Sequence, residues 1–88
     1  MYSAIDVARY IIWYCKRRRY SISNLKLQKI LYFVQANFLV SIGTPCFEEE
    51  IEAWDFGPVV PEVYHEFLPG LDLHSVILFT IWRHKLAG

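Results

Sequence analysis

The sequence predicts a mainly α-helical fold: one small domain of three to four helices, with a short β-hairpin or strand segment between the second and third helices. Two long stretches repeat apolar residues at the three-to-four spacing of amphipathic helices. After them the pattern changes to the alternation that is typical of a strand, and glycine and proline follow. A length of 88 residues favours a single domain with a modest core.

The first predicted helix spans residues 4–18. Ser3 followed by Asp6 is typical of a helix start. The expected buried stripe consists of Ala4, Val7, Ala8, Ile11 and Cys15. Trp13 falls on the opposite, more polar side, so it is expected either to cover a neighbouring segment or to contact a partner.

The second predicted helix spans residues 25–42. Ser23 or Asn24 can cap its start, and Gly43 with Pro45 can end it. Its expected buried stripe consists of Leu27, Ile30, Leu31, Val34 and Phe38. The second half is apolar on nearly every side, which predicts a central helix. Its polar interruptions favour a buried helix over a membrane span, so no membrane association is expected.

The next stretch, residues 46–56, is predicted to be extended, with Gly57 and Pro58 ending the strand. Its partner stays open: Cys46–Phe47 in a hairpin, another segment or another chain. Pro61 can occupy the first turn of a third helix that stops at Pro69-Gly70. The tail, with its run VILFTIW, fits either a fourth helix or a β-strand.

The charges divide between the two halves of a chain whose net charge is zero. Residues 1–44 carry seven bases and one acid, and residues 45–88 carry eight acids and two bases. The halves are expected to pair their charges internally or to present a bipolar surface to a partner. Aromatic residues make up 17% of the chain, so some apolar surface is expected to meet a partner, and a homodimer is one such arrangement.

Enzymatic chemistry is not supported by any motif. The three histidines and two cysteines lack metal-ligand spacing, so neither a metal nor a cofactor is expected. No phosphate-binding or nucleophile motif is present. The two cysteines and the absence of a signal sequence favour a reducing, cytoplasmic location.

The run Lys16, Arg17, Arg18 and Arg19 is the candidate for nucleic-acid binding. Four bases beside aromatic residues can hold phosphates and stack on bases. The ordinary interpretation is a helix end, where cations are favoured by the dipole. Nucleic acid is not the expected partner because the chain is neutral. A nucleic-acid-binding regulator stays as an alternative function.

Two motifs carry a resemblance to a known family. The first, NLKLQK at residues 24–29, opens the second helix, and the second, EAW at residues 52–54, leads into GPVVPEVY at residues 57–64. Together with AIDVARYII near the amino terminus, they resemble the Panacea antitoxin domain of SocA-like antitoxins and phage-associated GepA-like proteins of prokaryotes. The resemblance covers residues 1–68, the amino-terminal part of that domain. Residues 69–88 are interpreted as a divergent tail, the product of a truncation or frameshift.

The resemblance implies binding and no catalysis. Panacea domains neutralise toxins by stoichiometric contact, and SocA-like members deliver the toxin to a cytoplasmic protease as adaptors. A cognate toxin and a protease are therefore the expected partners. The candidate contacts are Trp13, Trp54, Phe56 and Tyr64. The motif residues Asn24, Leu27, Gln28, Lys29, Gly57 and Pro58 are expected to be structural. A non-functional truncated remnant stays as a further alternative.

Overall fold

The computed structural model describes residues 1–67. They form the helices α1 (Ala4–Arg17), α2 (Asn24–Ser41) and α3 (Pro61–Glu66) and the strands β1 (Glu52–Trp54) and β2 (Gly57–Val59). The strands make an antiparallel hairpin between α2 and α3. The predicted fold class is therefore confirmed, whereas the expected elements of the tail lie outside the described residues.

The two long helices begin at serine caps. Ser3 Oγ accepts a hydrogen bond from the Asp6 N–H at 3.1 Å, and Ser23 Oγ accepts one from the Lys26 N–H at 3.1 Å. Each cap satisfies one of the amide groups that lack a partner in the first turn of a helix. The helix starts consequently lie within one residue of their predicted positions.

The two long helices end differently. Gly43 follows α2 with φ 83°, and its N–H donates to the Phe38 carbonyl at 3.1 Å. Glycine adopts this left-handed conformation without a steric cost. At the end of α1 the same conformation falls on Arg19, with φ 58°, where a side chain makes it unfavourable by about 1 kcal/mol.

The core lies where α1, α2 and α3 meet the segment that precedes the hairpin. Its buried members are Ala4, Ala8, Ile12, Leu27, Leu31, Cys46, Phe47, Val60, Val63 and Phe67. The predicted α1 stripe needs one correction: Ile12 is fully buried, whereas Val7 and Ile11 are only partly buried. Ile12 follows Ala8 by one helical turn, so it points to the same side of α1.

The expectation that Gly57 and Pro58 end the strand was wrong, because both belong to β2. Ala53 pairs with Pro58, and Trp54 pairs with Gly57. Proline lacks an N–H, but an edge strand has one side that needs no ladder bonds, so Pro58 is tolerated. Gly57 has φ 130°, a conformation that favours glycine.

The segment Cys46–Phe47 does not pair with the hairpin. The Tyr2 N–H donates to the Cys46 carbonyl at 2.8 Å, and Tyr2 forms an isolated parallel bridge with Phe47. The start of the chain is thereby tied to the segment after α2. Within residues 1–67, no helix is long and apolar enough to cross a membrane.

Candidate protein-binding site

Three of the predicted partner contacts meet beside the hairpin. The ring centroids of Trp54 and Tyr64 lie 5.2 Å apart, and Phe56 lies 5.7 Å from each of them. The rings of Trp54 stand edge-on to both partners, which is a favourable arrangement for aromatic pairs. We call Trp54, Phe56 and Tyr64 the hairpin aromatic cluster.

Each member of the cluster comes from a different element. Trp54 ends β1, Phe56 lies in the turn of the hairpin, and Tyr64 lies on α3. The Trp54 indole N–H also donates to Glu52 Oε1 at 2.9 Å. Trp54 and Tyr64 are half-buried, whereas Phe56 is exposed. The cluster therefore joins the hairpin to α3 and also offers an aromatic surface to solvent.

An open groove of about 650 Å³ lies between the hairpin and the outward side of α2. It is lined by Lys29, Tyr32, Phe33, Ile51, Glu52, Ala53, Trp54, Gly57 and Pro58. Most of these side chains are apolar, while Lys29 and Glu52 bring one charge of each sign. We call this the hairpin groove. It has the composition of a protein-binding surface, an apolar centre with a few polar groups.

Trp13 lies outside the hairpin aromatic cluster. It packs against Tyr10 on α1, with ring centroids 5.9 Å apart, and the Arg17 guanidinium carbon lies 5.0 Å from its ring centroid. Arg18 stands over Tyr14 at the same distance of 5.0 Å. The structure thus separates Trp13 from the other three candidate contacts and joins it to the basic run.

The position of the basic run bears on the nucleic-acid alternative. Arg17 and Arg18 lie against aromatic faces of their own helix. A ring face covered by a guanidinium is not available for stacking on a base. Lys16, at the last turn of α1, and Arg19, just beyond it, are exposed. This arrangement favours a helix terminus with cation–π contacts over a stacking platform for nucleic acid.

The motif at the start of α2 forms a buried amide cluster. Gln28 is only 2% exposed, and its Oε1 accepts a hydrogen bond from the Val60 N–H at 2.9 Å. Gln28 Nε2 donates to Asn24 Oδ1 at 3.0 Å, and Asn24 Nδ2 donates to the Tyr64 carbonyl at 3.0 Å. These bonds fix the start of α3 against α2, and hence the position of Tyr64 in the aromatic cluster.

The other motif residues have separate positions. Leu27 is fully buried in the core. Lys29 is exposed, and its Cε would lie 3.9 Å from a Cβ placed on Gly57. Pro58 lines the same groove as Lys29 and Gly57. Gln28 therefore belongs to the buried side of α2, whereas its neighbour Lys29 borders the hairpin groove.

A second glutamine on α2 was missed by the sequence analysis. Gln35 Oε1 accepts hydrogen bonds from the N–H groups of Cys46 and Phe47 at 2.8 and 3.2 Å. Gln35 Nε2 donates to the Phe47 carbonyl at 2.9 Å. Gln35 follows Gln28 by seven residues, so the two lie on one side of the helix, and that spacing was the available signal.

The Cys46 thiol and the possible metal ligands are further candidates for reactive groups. Burial raises the pKa of the Cys46 thiol, while the nearby positive amino terminus acts in the opposite direction. A thiol with a raised pKa is a poor nucleophile at neutral pH. Residues 1–67 contain no group of three or more histidine, cysteine or acidic side chains that could hold a metal ion.

Comparisons with known proteins identify the family. The family described as "Antitoxin SocA-like, Panacea domain" matches residues 27–85, more than half of the chain. The chain therefore belongs to the SocA-like antitoxins with a Panacea domain. The match extends past residue 68, the boundary suggested by the sequence motifs, and that boundary stays a prediction.

The chain is also similar in sequence to a curated protein of this family. The chain is 56% identical over 46 residues to Antitoxin SocA of Caulobacter vibrioides (strain NA1000 / CB15N), a stretch that covers 52% of this chain and 24% of that protein. The chain thus spans about a quarter of the length of this relative. No solved structure matches the chain significantly. Family membership supports an antitoxin role in general terms.

Proposed function

We propose that the chain binds a cognate toxin protein stoichiometrically and neutralises it, and that the hairpin groove with its aromatic cluster makes the contact. The observation that carries the proposal is the meeting of Trp54, Phe56 and Tyr64 beside the hairpin, where Trp54 also lines an apolar, open groove. Binding energy at protein interfaces is concentrated in a few aromatic and arginine side chains, especially tryptophan and tyrosine. The cluster supplies two such residues, Trp54 on the hairpin and Tyr64 on α3.

The rigidity of the site supports this role. Ring contacts hold the cluster from one side, and the amide cluster of Asn24 and Gln28 holds α3 from the other. A surface that is fixed before binding loses less conformational entropy when the complex forms. Tyr32 and Phe33 line the groove and are exposed, and Phe56 is exposed in the aromatic cluster.

The proposal has two further parts, which concern the location of the protein and the fate of the bound toxin. The chain acts in the cytoplasm, and it works as an adaptor that delivers the bound toxin to a protease. Adaptor action needs a second surface, one that stays accessible when the toxin occupies the groove.

The first experiment is a pull-down of the tagged 88-residue chain, co-expressed with the product of the neighbouring gene and analysed by mass spectrometry. We expect a one-to-one complex from the wild-type chain. Phe33→Ala should raise the dissociation constant about tenfold or more, as for a central aromatic contact. Circular dichroism of each variant confirms that the chain is still folded.

Tyr20→Ala is the matched control. Tyr20 and Phe33 are 61% and 63% exposed, but Tyr20 does not line the hairpin groove. Its substitution should leave the complex intact. Equal weakening by both substitutions would contradict the assignment of the groove, and a folded chain that captures no toxin would contradict the antitoxin proposal. Adaptor action requires in addition that the chain shortens the half-life of the toxin in cells.

A further inference from the structure

Along the outer face of α1, aromatic side chains in the middle are followed by arginines at the carboxyl end. Tyr10 lies in the middle, Trp13 and Tyr14 follow, and Arg17 and Arg18 stand against these rings at the carboxyl end. Tyrosine, tryptophan and arginine are the residues most enriched among strong interface contacts. A guanidinium that lies flat on a ring keeps its N–H groups free at its edge, where a carboxylate can bind them.

The opposite end of α1 is acidic. A polar cleft of about 520 Å³ is lined there by Met1, Tyr2, Ser3, Glu48, Glu49 and Glu62. Glu49 Oε2 accepts a hydrogen bond from the Ala4 N–H at 2.9 Å, which places this carboxylate at the first turn of α1. Glu48 and Glu62 are exposed. The acidic and basic ends lie at opposite ends of α1, a helix about 20 Å long at a rise of about 1.5 Å per residue.

Tyr10 stands near the midpoint between these ends. It is exposed and borders an apolar groove of about 490 Å³ between α1 and α2. A surface that is acidic at one end, aromatic in the middle and basic at the other end is complementary to itself after a rotation of 180° about an axis through its middle. Such a surface meets the requirement for an isologous contact, in which the same patch serves both copies.

We propose that two copies of this chain associate through the outer faces of their α1 helices, antiparallel, with Tyr10 near the two-fold axis. Arg17 and Arg18 of each copy face the acidic cleft of the other. The aromatic residues between them form the centre of the interface. This contact is separate from the hairpin groove, so it does not depend on toxin binding.

Charge favours a second copy over other occupants. The basic half of the chain carries seven bases against one acid, and the acidic half reverses this with eight acids against two bases. Within the described residues, the ion pair between Arg9 and Glu66 (3.2 Å) is a contact inside the chain that joins α1 to α3. Arg17 and Arg18, by contrast, contact rings and are exposed, so a second copy can supply their carboxylates.

The test is a pair of charge-reversed variants of the full 88-residue chain, followed by sedimentation equilibrium. Variant one is Arg17→Glu/Arg18→Glu, which replaces the two guanidinium groups that face the acidic cleft with carboxylates. Variant two is Glu48→Lys/Glu62→Lys, which makes both ends basic and leaves the Glu49 contact to α1 in place. The wild-type chain should sediment at twice its 10.4 kDa mass at low salt and dissociate as salt is added.

Each variant alone should be monomeric, with a dimer dissociation constant raised about tenfold or more by the like charges now opposed. An equimolar mixture of the two variants should form a heterodimer, because each end then meets its opposite. A control with the same charge change on α2, Lys26→Glu/Lys29→Glu, should dimerise as the wild type does.

A cross-link keeps the test decisive if a reversed variant folds poorly. Antiparallel helices in contact place facing Cα atoms within disulfide reach near a two-fold axis. Tyr10→Cys should therefore form a dimeric disulfide in mild oxidant, and Tyr20→Cys should not. A wild-type monomer at low salt, a mixture that fails to associate, or a dimer abolished instead by Phe33→Glu would each overturn the proposal. A dimer that forms only when single-stranded nucleic acid is added would also overturn the proposal.

Discussion

The two faces of α2 are built in opposite ways. On the inner face, Gln28 and Gln35 bind the backbone of the segments that follow the helix. On the outer face, Phe33 and Val40 are 63% and 87% exposed. Gln28 is thus buried beside Leu27 and Leu31, while large apolar side chains face solvent on the opposite side, which departs from the usual distribution. The inner face fixes the path of the chain, while the outer face is the side of the helix that is suited to a partner.

The largest effect is expected from Gln28. Gln28→Ala removes the acceptor of the Val60 N–H and leaves a cavity, so the free energy of unfolding should fall by about 2–3 kcal/mol. The melting temperature should fall by roughly 10–20 °C for a domain of this size. Thermal unfolding followed by circular dichroism measures both changes.

Lys29→Ala is the matched control for this prediction. Lys29 is the next residue of the same motif, but it is exposed beside the hairpin groove. Its substitution should change the free energy of unfolding by no more than about 0.5 kcal/mol. If the two alanine variants were equally destabilised, the division of the motif between a buried and a groove-lining residue would be wrong.

Gln35 should give the next effect. Gln35→Ala removes hydrogen bonds to Cys46 and Phe47, but Gln35 is only half-buried and water can replace part of them. We expect a loss of about 1–2 kcal/mol in the free energy of unfolding. Amide hydrogen exchange should accelerate most at Cys46 and Phe47. Unchanged exchange at these two amides would show that Gln35 does not hold the segment.

Much of the helical framework could be predicted from local signals. Ser3 and Ser23 cap the helices at the expected places, and Pro61 opens α3. Capping and proline preferences act within one turn, so they are visible in a short stretch of sequence. Trp54, Phe56 and Tyr64 were named as candidate contacts together with Trp13, which the structure places apart from them, against Tyr10.

The pairing of the extended segments could not be predicted in this way. Gly57 and Pro58 were interpreted as a strand end because both residues usually interrupt strands. They begin β2 instead, since the hairpin needs the φ of Gly57 and tolerates Pro58 at an edge. The bridge from Tyr2 to Phe47 joins residues far apart in sequence, and no local pattern predicts it.

The buried thiol of Cys46 should make a smaller contribution to the free energy of unfolding, one that depends on pH. Burial raises its pKa in the folded chain, so the folded state favours the neutral thiol. This contribution is complete below the unfolded pKa of about 8.5, and it is lost as the pH rises above that value, at no more than about 1.4 kcal/mol per pH unit. Chemical unfolding at pH 7 to 10 should show this decline.

Cys46→Ala separates the thiol from other groups that titrate in the same range. The variant should be less stable at neutral pH because Cys46 is a core residue, but its stability should fall less steeply with pH than that of the wild type. Equal slopes for the two chains would show that the decline does not come from the Cys46 thiol. The comparison therefore concerns the slope and not the absolute stability.

The smallest effect on stability is expected on the outer face, where the effect on binding should be largest. Phe33→Ser and Val40→Ser should each change the free energy of unfolding by no more than about 0.5 kcal/mol, because both side chains already face solvent and serine has a similar helix propensity. Phe33 lines the hairpin groove and Val40 does not, so only Phe33→Ser should weaken the toxin complex. A loss of stability above about 1 kcal/mol for either variant would mean that this face is covered in the folded chain. Repeating the unfolding at several protein concentrations would then distinguish a second copy, whose contribution rises with concentration, from cover supplied within the chain.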